Sequence, residues 1–253
     1  MVSENLKTTF IGKTKEGNRI TISIIIGLMF LLGIIMILIP PLREALFMYL
    51  ALLMISYFVY RSPQYQDDTL VFSKRNAFSC IILAGILVPL FYYGTKVIPG
   101  FSFGIPLLPG TISEGMKAFI VIFVAPVVET LFVQGAFLAY IKNFHPSKKW
   151  LYTTLVIQAL VFGFIHLTAY IAGFYSLPSW SIALGEFWAT IGSFLAAIVW
   201  ALIAGFVVMM DGVRNLLFVT LFHMGVNLFI FTELTIVGLS ISPNLIKLIV
   251  TIL

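Results

Sequence analysis

Four polar side chains stand within long apolar stretches of the sequence. They are Glu129, His166, His223 and Asn227. A carboxylate and imidazoles can exchange protons with a substrate, and an amide can donate a hydrogen bond to a developing negative charge. Such a set can activate a water molecule, stabilise an oxyanion and protonate a leaving amine. Residues of these types would suffice for the hydrolysis of an amide bond by water.

The spacing of these residues places them on helix faces. His223 and Asn227 are four residues apart, so on a helix they project from one face about one turn apart. Phe162 and His166 have the same spacing, which predicts an aromatic ring beside that imidazole. The sequence thus predicts one functional surface made by His223 and Asn227, and an imidazole of His166 whose water access and rotamer are restricted by Phe162.

Glu129 lies in a segment with its own polar neighbours. Pro126 lacks a backbone N–H and frees a carbonyl in the preceding turn, so a polar group or water can enter the helix there. Thr130 and Gln134 form a third pair four residues apart. We interpret this pair as structural support for the glutamate.

The elements that must position these residues are membrane helices. The chain has 253 residues, of which 60% are hydrophobic and 10% charged. Charged residues make up about a quarter of a typical soluble protein, so a soluble domain of this length could not bury so much apolar surface. Disorder and a disulfide-stabilised fold are excluded too, since Cys80 is the one cysteine. The net charge of +5 forms no basic stripe, so no nucleic-acid partner is predicted.

Eight apolar runs are long enough to cross a bilayer, which takes roughly 20 residues. The predicted spans are 20–39, 43–60, 77–94, 116–141, 151–171, 181–210, 213–232 and 237–253. The first resembles a signal peptide, but its apolar core is too long and no small-residue cleavage site follows, so we expect a retained anchor. Polar residues interrupt the last run, which leaves seven or eight spans. The predicted fold is an all-α, polytopic transmembrane helix bundle.

Positive charges predict the orientation of this bundle. With the N-terminus inside, eleven of the fifteen Lys and Arg residues fall on the cytoplasmic side and three outside. We therefore expect a multi-pass protein of the cell membrane with both termini in the cytoplasm. Residues 1–19 would form a polar cytoplasmic segment, and residues 20–253 one transmembrane domain. The sequence gives no indication of the oligomeric state.

Each candidate residue also has a purely structural interpretation. A single histidine or asparagine within a membrane helix often forms a hydrogen bond to a neighbouring helix. A glutamate is harder to explain, because a carboxylate at the bilayer centre costs about 2.5 to 3.5 kcal/mol even on lenient insertion scales. Four such residues on three different spans favour a shared polar site, since each lowers the cost of burying the others.

Three short motifs resemble those of the CPBP family of intramembrane proteases. This family includes CAAX proteases of the Rce1 type and bacteriocin-processing enzymes of the Abi group. Its motifs read E-E-x-x-x-R, F-x-x-x-H and H-x-x-x-N, in that order. Phe162 to His166 matches the second motif, and His223 to Asn227 matches the third. Glu129 matches the first glutamate, so the similarity covers about residues 115–232, which would form the catalytic core.

The first motif departs from the family pattern at two positions. Thr130 stands at the second glutamate and Gln134 at the arginine. The family's Glu and Arg are four residues apart and could neutralise one another, so replacing both by uncharged residues is electrostatically balanced. The loss indicates replacement of a supporting pair and leaves Glu129 available.

The resemblance implies an intramembrane endopeptidase, and we expect it to need no cofactor, with zinc as the alternative considered below. In this interpretation Glu129 is the general base acting on water, and His166 helps to orient or protonate it. His223 and Asn227 would bind the carbonyl oxygen as it becomes negative. The implied substrates are membrane-associated: prenylated proteins, from which one branch of the family removes a C-terminal tripeptide, or peptide precursors.

Two alternatives stay open at this point. Glu129, His166 and His223 are a known type of zinc ligand set. We favour a metal-free site because Asn227 is spaced as a partner of His223 and the zincin motif, with two histidines at i and i+4, is absent. The other alternative is a non-catalytic membrane protein, either a regulatory scaffold or a proton-coupled transporter in which these groups relay protons.

Overall fold

The computed structural model describes residues 2–65, 70–97, 113–144, 151–174, 180–210 and 213–239. These residues are almost entirely helical, and no β-strand occurs among them. The all-α prediction is confirmed. The predicted eighth span lies mostly outside the described residues.

The helices follow the apolar runs of the sequence, except that α1 also continues through the polar segment before residue 20. They are α1 (Val2–Leu38), α2 (Arg43–Arg61), α3 (Ala77–Lys96), α4 (Glu114–Phe119), π1 (Ile120–Val124), α5 (Ala125–Thr130), π2 (Leu131–Phe137), α6 (Leu138–Phe144), α7 (Leu151–Phe174), α8 (Trp180–Val208) and α9 (Leu216–Leu239). Elements α4 to α6 follow one another without a break and form one stretch, in which π1 and π2 flank α5. A short 3₁₀ turn, Pro40–Leu42, joins α1 to α2, because proline cannot continue the first helix.

Among the residues that the structure describes, four helical segments are long and apolar enough to cross a membrane. They are Asn18–Leu38, Ala77–Lys96, Gly115–Ile141 and Ile191–Val208. Three shorter apolar helices lie at Leu46–Arg61, Tyr152–His166 and Leu216–Thr232. These seven segments coincide with the first seven predicted spans, while the total number of spans and the orientation of the termini stay predictions.

Large apolar side chains cover the outer surface of the helices. Phe30, Ile37 and Phe78 are 74%, 73% and 75% exposed. Such exposure in water would be unfavourable, at roughly 25 cal/mol for each Å² of apolar surface. In a bilayer the same side chains face lipid, so the protein is an integral membrane protein.

The helices pack so that α2, α7 and α9 meet around the stretch made by α5 and π2. Helix α1 packs along α2, α3 along α9, and α7 along α8. Helices α2 and α9 also contact α5, and α7 contacts π2. Since α5 carries Glu129, α7 carries His166 and α9 carries His223, the packing brings the predicted site residues toward one another.

Asn215 connects the beginning of α9 to the segment that follows α2. Its amide nitrogen donates hydrogen bonds to the carbonyl oxygens of Ser73 (2.6 Å) and Arg75 (2.9 Å). Its amide oxygen accepts from the backbone N–H groups of Ser73 (3.1 Å) and Leu217 (3.0 Å). Asn215 is 1% exposed, so these four bonds are made in a desolvated environment.

Replacing Asn215 by alanine is therefore expected to destabilise the protein. Four backbone groups lose their partner, and leaving buried polar groups unpaired costs about 1–3 kcal/mol. Thermal unfolding in detergent measures the change. The matched control is Thr232→Ala on the same helix, because Thr232 is exposed and bonds only to Leu228 in its own helix. Equal unfolding midpoints for the two variants would contradict this interpretation of Asn215.

Candidate active site

One carboxylate oxygen of Glu129 faces both intramembrane histidines. Glu129 Oε2 lies 3.9 Å from His166 Nε2 and 3.7 Å from His223 Nε2. The carboxylate and His223 are buried, while the His166 side chain is 20% exposed. Both distances exceed the range of about 2.7–3.2 Å for an N–H···O hydrogen bond, and polar groups at such a separation are commonly bridged by water.

The backbone of α7 fixes the orientation of the His166 ring. His166 Nδ1 lies 2.9 Å from the carbonyl oxygen of Phe162, one helical turn earlier. A carbonyl oxygen can only accept a hydrogen bond, so Nδ1 carries the hydrogen. In the neutral ring Nε2 then presents a lone pair toward Glu129. An ionised carboxylate and this nitrogen are both acceptors, so a water molecule between them could donate one hydrogen to each.

Aromatic rings form one wall of this site. The Phe162 ring centroid lies 4.4 Å from that of His166 and 5.6 Å from that of His223. Trp200 of α8 packs against Phe162 at 4.8 Å and against His223 at 4.4 Å. Phe162 and Trp200 are each 2% exposed. The wall restricts the rotamers of both imidazoles and keeps water away from that side of the site.

Tyr49 of α2 contacts the other carboxylate oxygen. Its hydroxyl donates a hydrogen bond to Glu129 Oε1 at 3.2 Å, and the tyrosine is 8% exposed. Tyr49 is not among the site residues predicted from the sequence. The sequence shows only a helical spacing of three or four residues along α2, and in the structure these positions form one buried face: Leu46, Tyr49, Leu53, Ser56 and Tyr60. Trp200 is likewise not among the predicted site residues, because it stands among small and apolar residues in α8.

Asn227 donates its side-chain N–H to the carbonyl oxygen of Val121 at 2.8 Å. The reason lies in the π-helical register of π1, where the N–H of Ala125 donates to the carbonyl of Ile120, five residues earlier. The next residue in this register, Pro126, has no N–H to offer to Val121. Asn227 supplies the missing donor, so the carbonyl that Pro126 leaves free receives a polar group from α9.

The two positions that depart from the family motif are completely buried. Thr130 and Gln134 are both 0% exposed. The hydroxyl of Thr130 and both polar atoms of the Gln134 amide have no hydrogen-bond partner within the described part of the chain. Thr130 and Gln134 are therefore buried, neutral residues of the same helical stretch as Glu129.

Introducing only the family's glutamate at position 130 is expected to destabilise the protein more than introducing both the glutamate and the arginine. Thr130→Glu puts an unpaired carboxylate into a buried environment, whereas Thr130→Glu with Gln134→Arg supplies a neutralising partner. We expect the single variant to unfold at a lower temperature in detergent than the double variant. Equal midpoints would remove this explanation of the altered motif.

Gly135 allows α2 to approach the central stretch closely. A Cβ atom at this position would overlap the hydroxyl of Tyr60, which itself donates a hydrogen bond to the carbonyl of Leu70. Gly135→Ala is therefore expected to lower the free energy of unfolding by about 1–3 kcal/mol, the usual cost of overpacking. Gly85→Ala is the matched control, since no atom lies within 4 Å of its added Cβ. Equal losses would contradict the close approach.

The ligand atoms of the alternative zinc set lie farther apart than in a tetrahedral zinc site. Zinc–ligand bonds of about 2.0–2.1 Å place two ligand atoms roughly 3.3 Å apart. The separations of 3.7 and 3.9 Å between Glu129 Oε2 and the two histidine nitrogens are wider than this. Within the described ranges, no group of three or more His, Cys, Asp or Glu residues is arranged to hold a metal ion.

Comparison with known proteins agrees with the motifs. No curated protein and no solved structure gives a significant match to the chain. A family model does match, and its residues include Glu129, Phe162, His166, His223 and Asn227. Residues 112–229 match the model described as type II CAAX prenyl endopeptidase Rce1-like, which confirms the resemblance of this chain to the CAAX proteases of the CPBP family.

Proposed function

We propose that the protein is an intramembrane endopeptidase that hydrolyses a peptide bond in a membrane-associated substrate. One observation carries the proposal: a buried glutamate oxygen faces the Nε2 atoms of two histidines, within a segment that matches an Rce1-like family model. The substrate class is a prenylated protein of the CAAX type or a peptide precursor. The proposed location is the cell membrane, with the site reached from the cytoplasm or laterally between helices.

In the proposed reaction, a water molecule lies between Glu129 Oε2 and His166 Nε2. Glu129 removes one of its protons as the oxygen attacks the carbonyl carbon of the scissile bond. The carbonyl oxygen becomes negative in the tetrahedral intermediate. When the C–N bond breaks, the proton passes from Glu129, with the help of His166, to the leaving amine. The products are a new carboxylate and a new amine, and the enzyme is unchanged.

His223 and Asn227 are the proposed donors to the oxyanion. An N–H aimed at the developing charge stabilises the transition state more than the ground state. Asn227 uses one of its two amide hydrogens for the Val121 carbonyl, which fixes the side chain between α9 and π1. Its second amide hydrogen is the one proposed to meet the substrate.

The test is peptide cleavage by the purified protein in proteoliposomes. A farnesylated peptide ending in a CAAX sequence is incubated with the protein, and release of the C-terminal tripeptide is measured by mass spectrometry. The same peptide without the farnesyl group is the control for the prenyl requirement. Release of the tripeptide from the prenylated peptide is the expected result.

Two other outcomes have clear meanings. Equal cleavage of both peptides would favour the precursor-processing form of the proposal over the CAAX form. Proton flux across the same proteoliposomes, sensitive to Glu129→Ala and without any peptide cleavage, would favour the transporter and overturn the proposed endopeptidase.

A further inference from the structure

We infer that Tyr49 is a positioning residue of the active site: it holds one oxygen of the Glu129 carboxylate and thereby directs the other oxygen toward both histidines. This inference rests on the proposed function. It assigns a role to a residue that lies outside the segment matching the Rce1-like family model, residues 112–229. Helix α2 would therefore complete the site.

The two oxygens of the Glu129 carboxylate face different residues. The Tyr49 hydroxyl donates to Oε1 at 3.2 Å, while Oε2 faces His166 and His223. The last torsion of a glutamate side chain is broad and roughly two-fold, so an unheld carboxylate rotates easily. A donor on one oxygen removes this freedom. The proton-accepting oxygen then stays on the side where the water must be activated.

Tyr49 itself is fixed by the packing of α2. Its neighbours on the same buried face, Leu46 and Leu53, are both 0% exposed. Further along this face, the Tyr60 hydroxyl is anchored to the Leu70 carbonyl and lies against Gly135 of π2. Helix α2 is thus held against the glutamate-bearing stretch at two separate points. A donor on such a rigid element can define the position of a carboxylate.

The first arm of the test measures kinetics with Tyr49→Phe. This change removes the hydroxyl and keeps the ring, so the packing of α2 is retained. We expect kcat to fall about 10- to 100-fold with KM changed by less than about twofold, because the glutamate is misplaced while substrate binding is intact. Tyr57→Phe on the same helix is the matched control, since the Tyr57 ring contacts Phe58 and Arg61. It should leave both constants unchanged.

The second arm does not depend on activity. Unfolding midpoints in detergent are compared for Tyr49→Phe, Glu129→Leu and the double variant. Leucine has no acceptor, so removing the tyrosine hydroxyl should shift the midpoint less in the Glu129→Leu protein than in the wild-type protein. Additive shifts would show that the two side chains do not interact and would overturn the inference.

The two arms separate the failure of this inference from the failure of the proposed function. If the wild-type protein cleaves peptide and Tyr49→Phe has a normal kcat, the inference is overturned and the endopeptidase stands. If the wild-type protein cleaves no peptide, the proposed function fails, and with it the catalytic role of Tyr49. The unfolding cycle then still shows whether the tyrosine holds the carboxylate.

Discussion

Glu129→Gln is expected to lower kcat for peptide cleavage by about 10²- to 10⁴-fold, the usual contribution of a general base. The amide has nearly the same volume and can still accept a hydrogen bond from Tyr49. It cannot take a proton from water at neutral pH. The measurement is tripeptide release in proteoliposomes under saturating substrate, which isolates kcat from binding.

The unfolding midpoint of Glu129→Gln is the control for this experiment. Because the glutamate is 7% exposed and carries a charge when ionised, the neutral variant should be at least as stable as the wild-type protein. A stable, inactive variant supports a chemical role. A stable variant with a kcat within a few-fold of the wild-type value would show that Glu129 is not the base.

His223→Ala is expected to lower kcat by about 10²- to 10³-fold with little change in KM, the effect of losing one oxyanion donor. The alanine also leaves a gap beside Trp200, so stability must be measured separately. His223→Gln is the matched variant, because its amide restores an N–H donor. We expect it to recover part of the lost rate. If KM rises while kcat is unchanged, His223 binds substrate and does not stabilise the transition state.

The four candidate residues could be singled out from the sequence because placing a polar side chain within a bilayer costs free energy. A carboxylate or imidazole within an apolar segment is visible in the sequence alone, and its cost in a bilayer demands a partner. Such reasoning singled out Glu129, His166, His223 and Asn227. The structure places the glutamate within 4 Å of both imidazoles, an arrangement that depends on the packing of α5, α7 and α9.

Tyr49 and Trp200 could not be found in the same way. Tyrosine and tryptophan carry little burial penalty in membrane helices, so their presence alone indicates no site. The contact between Tyr49 and Glu129 joins residues 80 positions apart in the chain. Only the packing of α2 against α5 reveals it, and hydrophobic periodicity does not determine which helices become neighbours.

The partner of Asn227 shows a similar limit. The sequence predicts that Pro126 frees a carbonyl, because proline lacks the N–H that would bond it. The π register of π1 decides that this carbonyl belongs to Val121, and the packing of α9 decides that Asn227 reaches it. Local sequence rules predict the break in the helix but not the residue that compensates for it.

Peptide cleavage after exhaustive chelation, with protein prepared without a histidine tag, tests most directly whether Glu129 activates water without a metal. We expect an unchanged cleavage rate, no effect of returned zinc and no stoichiometric metal in the purified protein. Activity that disappears with chelator and returns with zinc, together with one zinc bound by Glu129, His166 and His223, would contradict this expectation.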